Sequence, residues 1–496
     1  METTQRLQES GGSVHGDSGQ GLTPYPVLLQ TVETKSGMFE SYNWPARAGI
    51  KPFKHQIETV KACLAYKRIF ILNDMGTGKT LSALWACDIL FKAKKIRKVL
   101  IIGPLSTLRS VWYEEIFFNF PHRTKVIAHG NKDVRRAAIR GAYDFTIINH
   151  DGIVSVFEEL CAEKYDIIIV DELTAYKTFS ADRTKKMIQL SRTAKAVWGM
   201  TGKPTPNSPL EAFSQAHVVN PANPHLPRYF TQYRDMTMYR LSLYQWVARP
   251  EAVNIVATIL QPAVRYKLTD CIDMPPIVYQ TLDVPFTPQQ TKAYVEMKDQ
   301  LYTELANGEV SASNAAVKLN KLLQISAGAV KNDEGEPTLV DCTPRLNALY
   351  DVFEETPNKK LIVFVTFRAS IKVVSDFFAS KGVSVKVIYG DVSPIRRQEA
   401  ITEFQNSGLE VLVIQPQSSA HGITLTASST IVWFSLIPSN ELYQQGNARI
   451  YRAGQRVPCL IIHMISSGAE KHIAKMLTRK EVQAASVLEL ISKHEL

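Results

Sequence analysis

Asn73-Asp74-Met75-Gly76-Thr77-Gly78-Lys79-Thr80 stands where an apolar run, RIFIL (68–72), meets a helical pattern, LSALWACDIL. Gly76 and Gly78 let the backbone of Asp74, Met75 and Thr77 curl so that N–H groups point at phosphate oxygens, aided by a helix N-terminus. In such a loop the lysine, Lys79, reaches the β- and γ-phosphates of a nucleoside triphosphate and the threonine, Thr80, holds Mg²⁺. Asn73 occupies the place of the generic loop's first glycine. The strand, the G-K-T and the helix follow in the order that favours ATP over a plain glycine-rich turn.

A phosphate loop also needs an acid at the end of a neighbouring strand. DIIIV (166–170) runs directly into Asp171-Glu172. Asp171 is placed to hold Mg²⁺ through water, and Glu172 to orient and activate the attacking water. Upstream, Phe53 and Gln56 in KPFKHQ precede the loop by about 20 residues. A glutamine amide reads both the donor and the acceptor edge of adenine, although an exposed helix start looks the same. Near the C-terminus, YQQGNARIYRAGQ (443–455) puts Arg449 and Arg452 three positions apart, after Gln445. On one helical face both arginines would reach a single triphosphate; a solvated surface would show the same pair.

Positioning these groups requires strands that end at one edge. Short β-branched runs alternate with helical patterns twice: RIFIL, KVLIIG, DFTIIN, DIIIV and KAVWGM, then KLIVFV, SVKVIYG, EVLVIQ, TIVWFS and CLIIHMI. Runs so short and continuously apolar predict strands buried on both faces, hence parallel α/β sheets. The expected organisation is an N-terminal tail (1–45), a first lobe (46–220), a helical insertion and connection (221–340) with helices around 288–305 and 311–327, and a second lobe (341–496). Trp198 and Trp433 lie in strands and are expected in the cores.

Composition narrows the class. The chain has 496 residues, 45% hydrophobic and 21% charged, with net charge +10. No apolar run reaches the roughly 18–20 residues of a membrane span, and the N-terminus lacks the basic and apolar regions of a secretory leader. Six scattered cysteines without C-x-x-C argue against a disulfide framework or zinc site and fit an intracellular, reducing compartment. The basic excess permits a polyanion partner without requiring one.

In their order, NDMGTGKT, IIGPLSTLRSVWYEEI, VDELTAYKTFSADRTKK, WGMTGKPTPNSPLE, HGITLTA and QQGNARIYRAGQ resemble a superfamily 2 helicase-like ATPase of the Swi/Snf branch. Compact annealing or fork-remodelling and phage-type translocases are the most similar members. The resemblance implies two tandem RecA-like lobes, ATP and Mg²⁺, and sequence-tolerant binding to duplex or branched DNA, with replication or recombination proteins as possible partners and no membrane. Phe53 and Gln56 match its adenine motif, and Gln445 its further polar contact beside the arginines. Thr201, Gly202 and Asn207 match its hydrolysis-sensing turn, with Lys203 as a departure. Leu173-Thr174 replace the Ala-His of D-E-A-H, so the usual histidine link to the second lobe is missing or supplied otherwise. Strand-end turns would track the DNA backbone through Pro104, Ser106, Thr107, His129, Gly130 and Asn149, then Thr366, Arg368, Arg397, Thr424 and Thr426. His421, beside Gly422, reads as a local packing variation. The implied activity is a DNA-translocating motor acting in replication, recombination or repair. A strand-separating helicase on DNA or RNA, a non-catalytic ATP-gated nucleic-acid clamp and a nuclease-coupled motor subunit are the rival readings.

Overall fold

The computed structural model describes residues 41–47, 51–242, 246–306, 312–331, 336–418 and 424–479. Most of the tail expected at 1–45, and the His421-Gly422 pair, lie outside the described residues.

Seven strands form the first sheet in the order Lys125–Ile127, Phe145–Asn149, Val99–Gly103, Ile167–Asp171, Ala196–Met200, Arg68–Ile71 and Ala263–Val264. Every pairing is parallel. Successive side chains leave a strand on opposite faces. Ile69, Ile71, Ile101, Ile169 and Trp198 pack against Leu84 and Trp85 of the helix Lys79–Lys92. Phe70, Leu100, Ile102, Ile168 and Val170 join Phe213 of the helix Glu211–Val219 on the other face. With both faces covered, the strands read as continuous apolar runs rather than alternating ones.

Six strands build the second sheet: Ile277–Asp283, Cys459–Ile465, Thr430–Trp433, Leu361–Phe364, Val411–Ile414 and Val385–Ile388, again all parallel. Ile362, Phe364, Leu412 and Trp433 face one core, and Leu361, Val363, Val411 and Val432 the other. Trp198 and Trp433 are fully buried, as their strand positions predict. The architecture is two tandem RecA-like lobes.

The stretch 221–340 contains the expected helices, Pro288–Ala306 and Ala312–Ser326. It also gives each sheet an edge strand, Ala263–Val264 to the first and Ile277–Asp283 to the second. One is only two residues long and the other is mostly exposed, so neither carries an apolar run. Residues 265–276 are therefore the crossing, and they leave the first sheet beside the strand that feeds the phosphate loop. No described helix is long and apolar enough to cross a membrane.

Candidate active site

The neighbouring strands Ile167–Asp171, Ala196–Met200 and Arg68–Ile71 end at one edge of the first sheet. That edge brings Asp171-Glu172, Thr201-Gly202 and the 73–80 loop together. Asn73 is buried and its amide donates to Thr59 Oγ1 at 2.9 Å, which anchors the loop's start to the helix Lys54–Ala65. Gly76 (φ +85°) and Gly78 (φ +77°) take left-handed conformations open to glycine at no steric cost. A Cβ on Gly78 would also lie 2.1 Å from Gln56 Nε2. Lys79 Nζ donates to the carbonyls of Asn73 (2.9 Å) and Asp74 (3.0 Å), so the loop wraps its own lysine. Gly202 sits against the loop, with its Cβ direction 3.6 Å from Asn73 O and Met75 N. Thr201 N–H donates to Ile71 O at 3.1 Å.

The adenine candidates have local partners as well. Phe53 is the N-cap of the helix Lys54–Ala65, and Gln56 Oε1 accepts its N–H at 3.0 Å. The helix-start reading is thus realised, while the Gln56 amide nitrogen still lies against the loop.

Electrostatics single out the acid pair. Glu172 has φ +52°, a left-handed conformation for a non-glycine residue, of the kind that stores about 1–3 kcal/mol at functional sites. Burial pushes its carboxyl up to about 7; Asp171 adds to the rise, Lys79 opposes it, and from the second lobe Glu441 raises it and Arg449 lowers it. Burial raises Asp171 too, against a hydrogen bond from Trp112 Nε1 at 2.9 Å and the charge of Lys79. Lys79 is pushed down by burial and held up by Glu172, Asp171 and Asp74. A glutamate near neutrality beside a lysine and a second carboxylate suits base chemistry on water.

The second lobe closes the site from above. A Cβ on Gly76 would meet Arg452 Cβ at 3.5 Å and Ala453 N at 3.8 Å. Burial, with the like charge of Arg452, lowers Arg449 to about 10 against the opposing pull of Glu172. The arginines do not project from one helical face, contrary to the spacing argument. The helix Asn440–Asn447 stops before them and the chain continues in turns. Tertiary partners hold the backbone there: Leu425 N–H donates to Arg449 O (3.0 Å), and the Gln455 amide to Ile450 O (3.4 Å) and Ser428 O (3.0 Å). Gln445 is buried in that helix, and its Oε1 has no hydrogen-bond partner among the described residues.

The strand-end residues divide into two groups. Ser106, His129, Gly130 and Arg368 are exposed. Pro104, Thr107 and Asn149 are buried, and their polar groups have internal work. The Thr107 hydroxyl donates to Pro104 O at 3.0 Å, and Asn149 Oδ1 accepts from Arg135 at 3.2 Å. In the second lobe the Thr366 hydroxyl donates to Ser435 O (3.1 Å), and Arg368 forms a two-point pair with Asp391 (2.9 and 3.0 Å). The side chains of Thr107, Asn149 and Thr366 thus have partners within the protein. Asn207 Nδ2 donates to Glu211 Oε1 at 3.1 Å, and Arg397, Thr424 and Thr426 are partly exposed.

Several residues at the site were not singled out from sequence. His55 Nε2 lies 2.9 Å from Thr77 O, and Trp112 pins Asp171. Arg265 Nη2 pairs with Asp74 Oδ1 (2.6 Å) and Leu268 N–H donates to Asp74 Oδ2 (2.9 Å), so the inter-lobe crossing grips the phosphate loop. Trp112 lies inside IIGPLSTLRSVWYEEI, a segment that carries the family resemblance, and Arg265 opens the crossing at 265–276.

Residues 55–332 match the family model described as an SNF2-related domain, and residues 344–454 one described as a helicase conserved C-terminal domain. The putative protein p41 of Acyrthosiphon pisum secondary endosymbiont phage 1 is 25% identical, with 84% of this chain and 92% of that protein covered. The SWI/SNF-related matrix-associated actin-dependent regulator of chromatin subfamily A-like protein 1 of Drosophila melanogaster is 24% identical over 84% of this chain and 53% of its own length. Human DNA annealing helicase and endonuclease ZRANB3 is 22% identical over 89% of this chain and 40% of its own. The chain thus spans about half or less of those two animal proteins. The solved Sulfolobus solfataricus SWI2/SNF2 ATPase core in complex with dsDNA aligns over 95% of this chain and 96% of its own, at 19% identity and TM-score 0.43. With the SNF2-related domain covering more than half its length, the chain belongs to the SNF2-related family, as an ATP-hydrolysing, DNA-associated motor.

Proposed function

We propose that the chain is a duplex-DNA translocase that remodels DNA or displaces bound factors during replication, recombination or repair. The observation that carries this reading is the approach of Arg452 and Ala453 to Gly76, close enough that a Cβ there would touch both, which brings the second lobe's arginine turn beside the first lobe's phosphate loop. The names of relatives such as the human DNA annealing helicase support the DNA-processing role.

Each residue then has a task. The loop residues Asp74 to Thr80 cradle the triphosphate, with Lys79 on its terminal phosphates; Phe53 and Gln56 take the base. Thr80 and Asp171 would hold Mg²⁺, which when bound supplies positive charge to the phosphates. The donor set fits that ion, since a hydroxyl and a carboxylate are the oxygen ligands it prefers. Glu172 takes the proton of the attacking water, and Arg449 and Arg452 stabilise charge developing on the γ-phosphate. The arginines belong to the other lobe, so the site is complete only when the lobes close. Exposed Ser106, His129, Gly130 and Arg368, with Arg397, Thr424 and Thr426, contact the DNA backbone. Alternate grip and release by the two lobes turns closure into movement. Gly202 packs against the loop, and Thr201, Gly202 and Asn207 transmit the change.

The test has two parts. Lys79→Ala and Glu172→Gln should each abolish DNA-stimulated ATP hydrolysis, a loss of at least about 10³-fold. The parent protein should displace the third strand of a triplex while unwinding a forked duplex poorly. Efficient fork unwinding without triplex displacement would make it a strand-separating helicase instead, and binding without hydrolysis a clamp.

A further inference from the structure

We propose that Glu441 is the positioning residue that latches the lobes together and so sets the arginine turn against Glu172. The proposal rests on the closure reading above. Glu441 is in the first turn of the helix Asn440–Asn447, whose C-terminal end leads into Arg449 and Arg452. Its Oε1 accepts from Thr174 Oγ1 at 2.9 Å, and its Oε2 from Lys177 Nζ at 2.5 Å. Both partners belong to the first lobe and follow the Asp171-Glu172 pair. Beside them, buried Asn440 donates its amide to Pro206 O at 3.2 Å. One turn of helix therefore touches the segment after the acid pair and the segment after Thr201-Gly202.

Lys177 gives this contact the character of a switch. It also lies 3.8 Å from Glu211 Oε1 within its own lobe. Glu211 in turn accepts the backbone N–H of Asn207 at 2.9 Å. When the lobes part, the lysine keeps a carboxylate partner at hand, and Glu441 returns to water with Thr174. No buried charge is stranded by opening, so the latch can release in every cycle. Thr174 stands where the family resemblance puts histidine, and here its hydroxyl reaches the second lobe. The electrostatic influence of Glu441 on Glu172 shows that the latch lies within reach of the reaction centre.

The experiment combines steady-state ATPase kinetics on duplex DNA with hydrogen exchange of the nucleotide-free protein. Glu441→Ala should lower kcat by about 10- to 100-fold, the range set by losing charge-assisted hydrogen bonds, with the KM for ATP within about twofold of the parent. Glu441→Gln, which keeps an acceptor for Thr174, should lose less. Combining Glu441→Ala with Lys177→Met should be no worse than the poorer single variant, because both remove one contact. Exchange in Glu441→Ala should rise at both Leu173–Tyr176 and the helix Asn440–Asn447, with the melting temperature unchanged. Independent, multiplying effects in the double variant, or unaltered exchange at Leu173–Tyr176, would overturn the latch. If the parent itself shows no ATPase, the translocase reading fails, while the exchange measurement still decides whether Glu441 joins the lobes.

Discussion

Lys79 in the first lobe and Arg449 in the second are both cations withdrawn from water, and their surroundings differ. Lys79 is held by the carbonyls of Asn73 and Asp74, and the carboxylates that oppose its burial, Glu172, Asp171 and Asp74, all belong to its own lobe. Arg449 has a like charge, Arg452, as its lobe-mate, and the carboxylate that favours its charged form is Glu172 across the cleft. A third buried cation shows that the second lobe can neutralise an arginine by itself. Arg345 pairs with Glu470 at 2.7 Å and donates to the carbonyls of Phe434 and Met464, with both charged side chains 1% exposed. Arg449 lies in the same lobe with its counter-charge in the other. The first lobe thus holds its buried lysine with groups of its own, and the second carries an arginine whose charged form is favoured by Glu172 of the first.

The widest separation between these roles comes from removing each arginine. Arg449→Ala or Arg452→Ala should reduce kcat on DNA by about 10³- to 10⁵-fold, the contribution of arginines delivered to a transferring phosphoryl group. ATP binding, read by a fluorescent analogue, should change little, because the cradle is in the other lobe. Loss of ATP binding in step with kcat would break the comparison, since Arg449 would then be part of the ground-state site. Arg345→Ala should behave differently. It leaves Glu470 buried without its cation and should cost about 3–5 kcal/mol of stability, seen as a lowered denaturation midpoint. A folded, catalytically impaired Arg345→Ala protein would contradict the structural role.

The difference between the lobes was only partly legible in the sequence. The ten expected strands are all present, because strands covered on both faces must be apolar throughout and announce themselves as runs. The phosphate loop and the acid pair were legible for a related reason: each is a local sequence placed directly after such a run. The edge strands Ala263–Val264, two residues long, and Ile277–Asp283, mostly exposed, were missed because edge position relaxes the demand for apolar residues. The arginine turn is not the helix its spacing suggests, since helical spacing says nothing of the Leu425 N–H, which captures the Arg449 carbonyl, or of Ser428 O, which holds the Gln455 amide from outside the turn. Cross-lobe pairs such as Thr174–Glu441 have no periodic signature, and Glu441 looks like any acidic residue in a helix's first turn.

A smaller effect should follow from Trp112, whose indole fixes Asp171. Trp112→Phe preserves most of the packing and removes the hydrogen bond. The Mg²⁺ concentration for half-maximal ATPase should rise about 10-fold, the lower end for residues that orient a metal ligand. An unchanged Mg²⁺ requirement would mean that the first lobe's acid pair is positioned by its backbone alone.

The smallest and most specific effect is in the pH profile. Glu172 must be deprotonated to take a proton from water, and its carboxyl stands near 7 in the folded protein. Activity should therefore be lost as pH falls through about 7, with kcat/KM dropping tenfold per unit below that point and level above it. An ordinary exposed glutamate, with a pKa of about 4.3, would leave this limb flat to far lower pH. Arg449 lowers the Glu172 pKa from across the cleft. Arg449→Gln should then move the acid limb of its residual activity to higher pH, and Arg449→Lys should leave it in place. The Lys79 side of the site offers no such separation, because changing Lys79 removes phosphate binding along with the charge. A limb that ignores the charge at position 449 would show that the two lobes communicate through contact alone, and not through the field between Glu172 and the arginine turn.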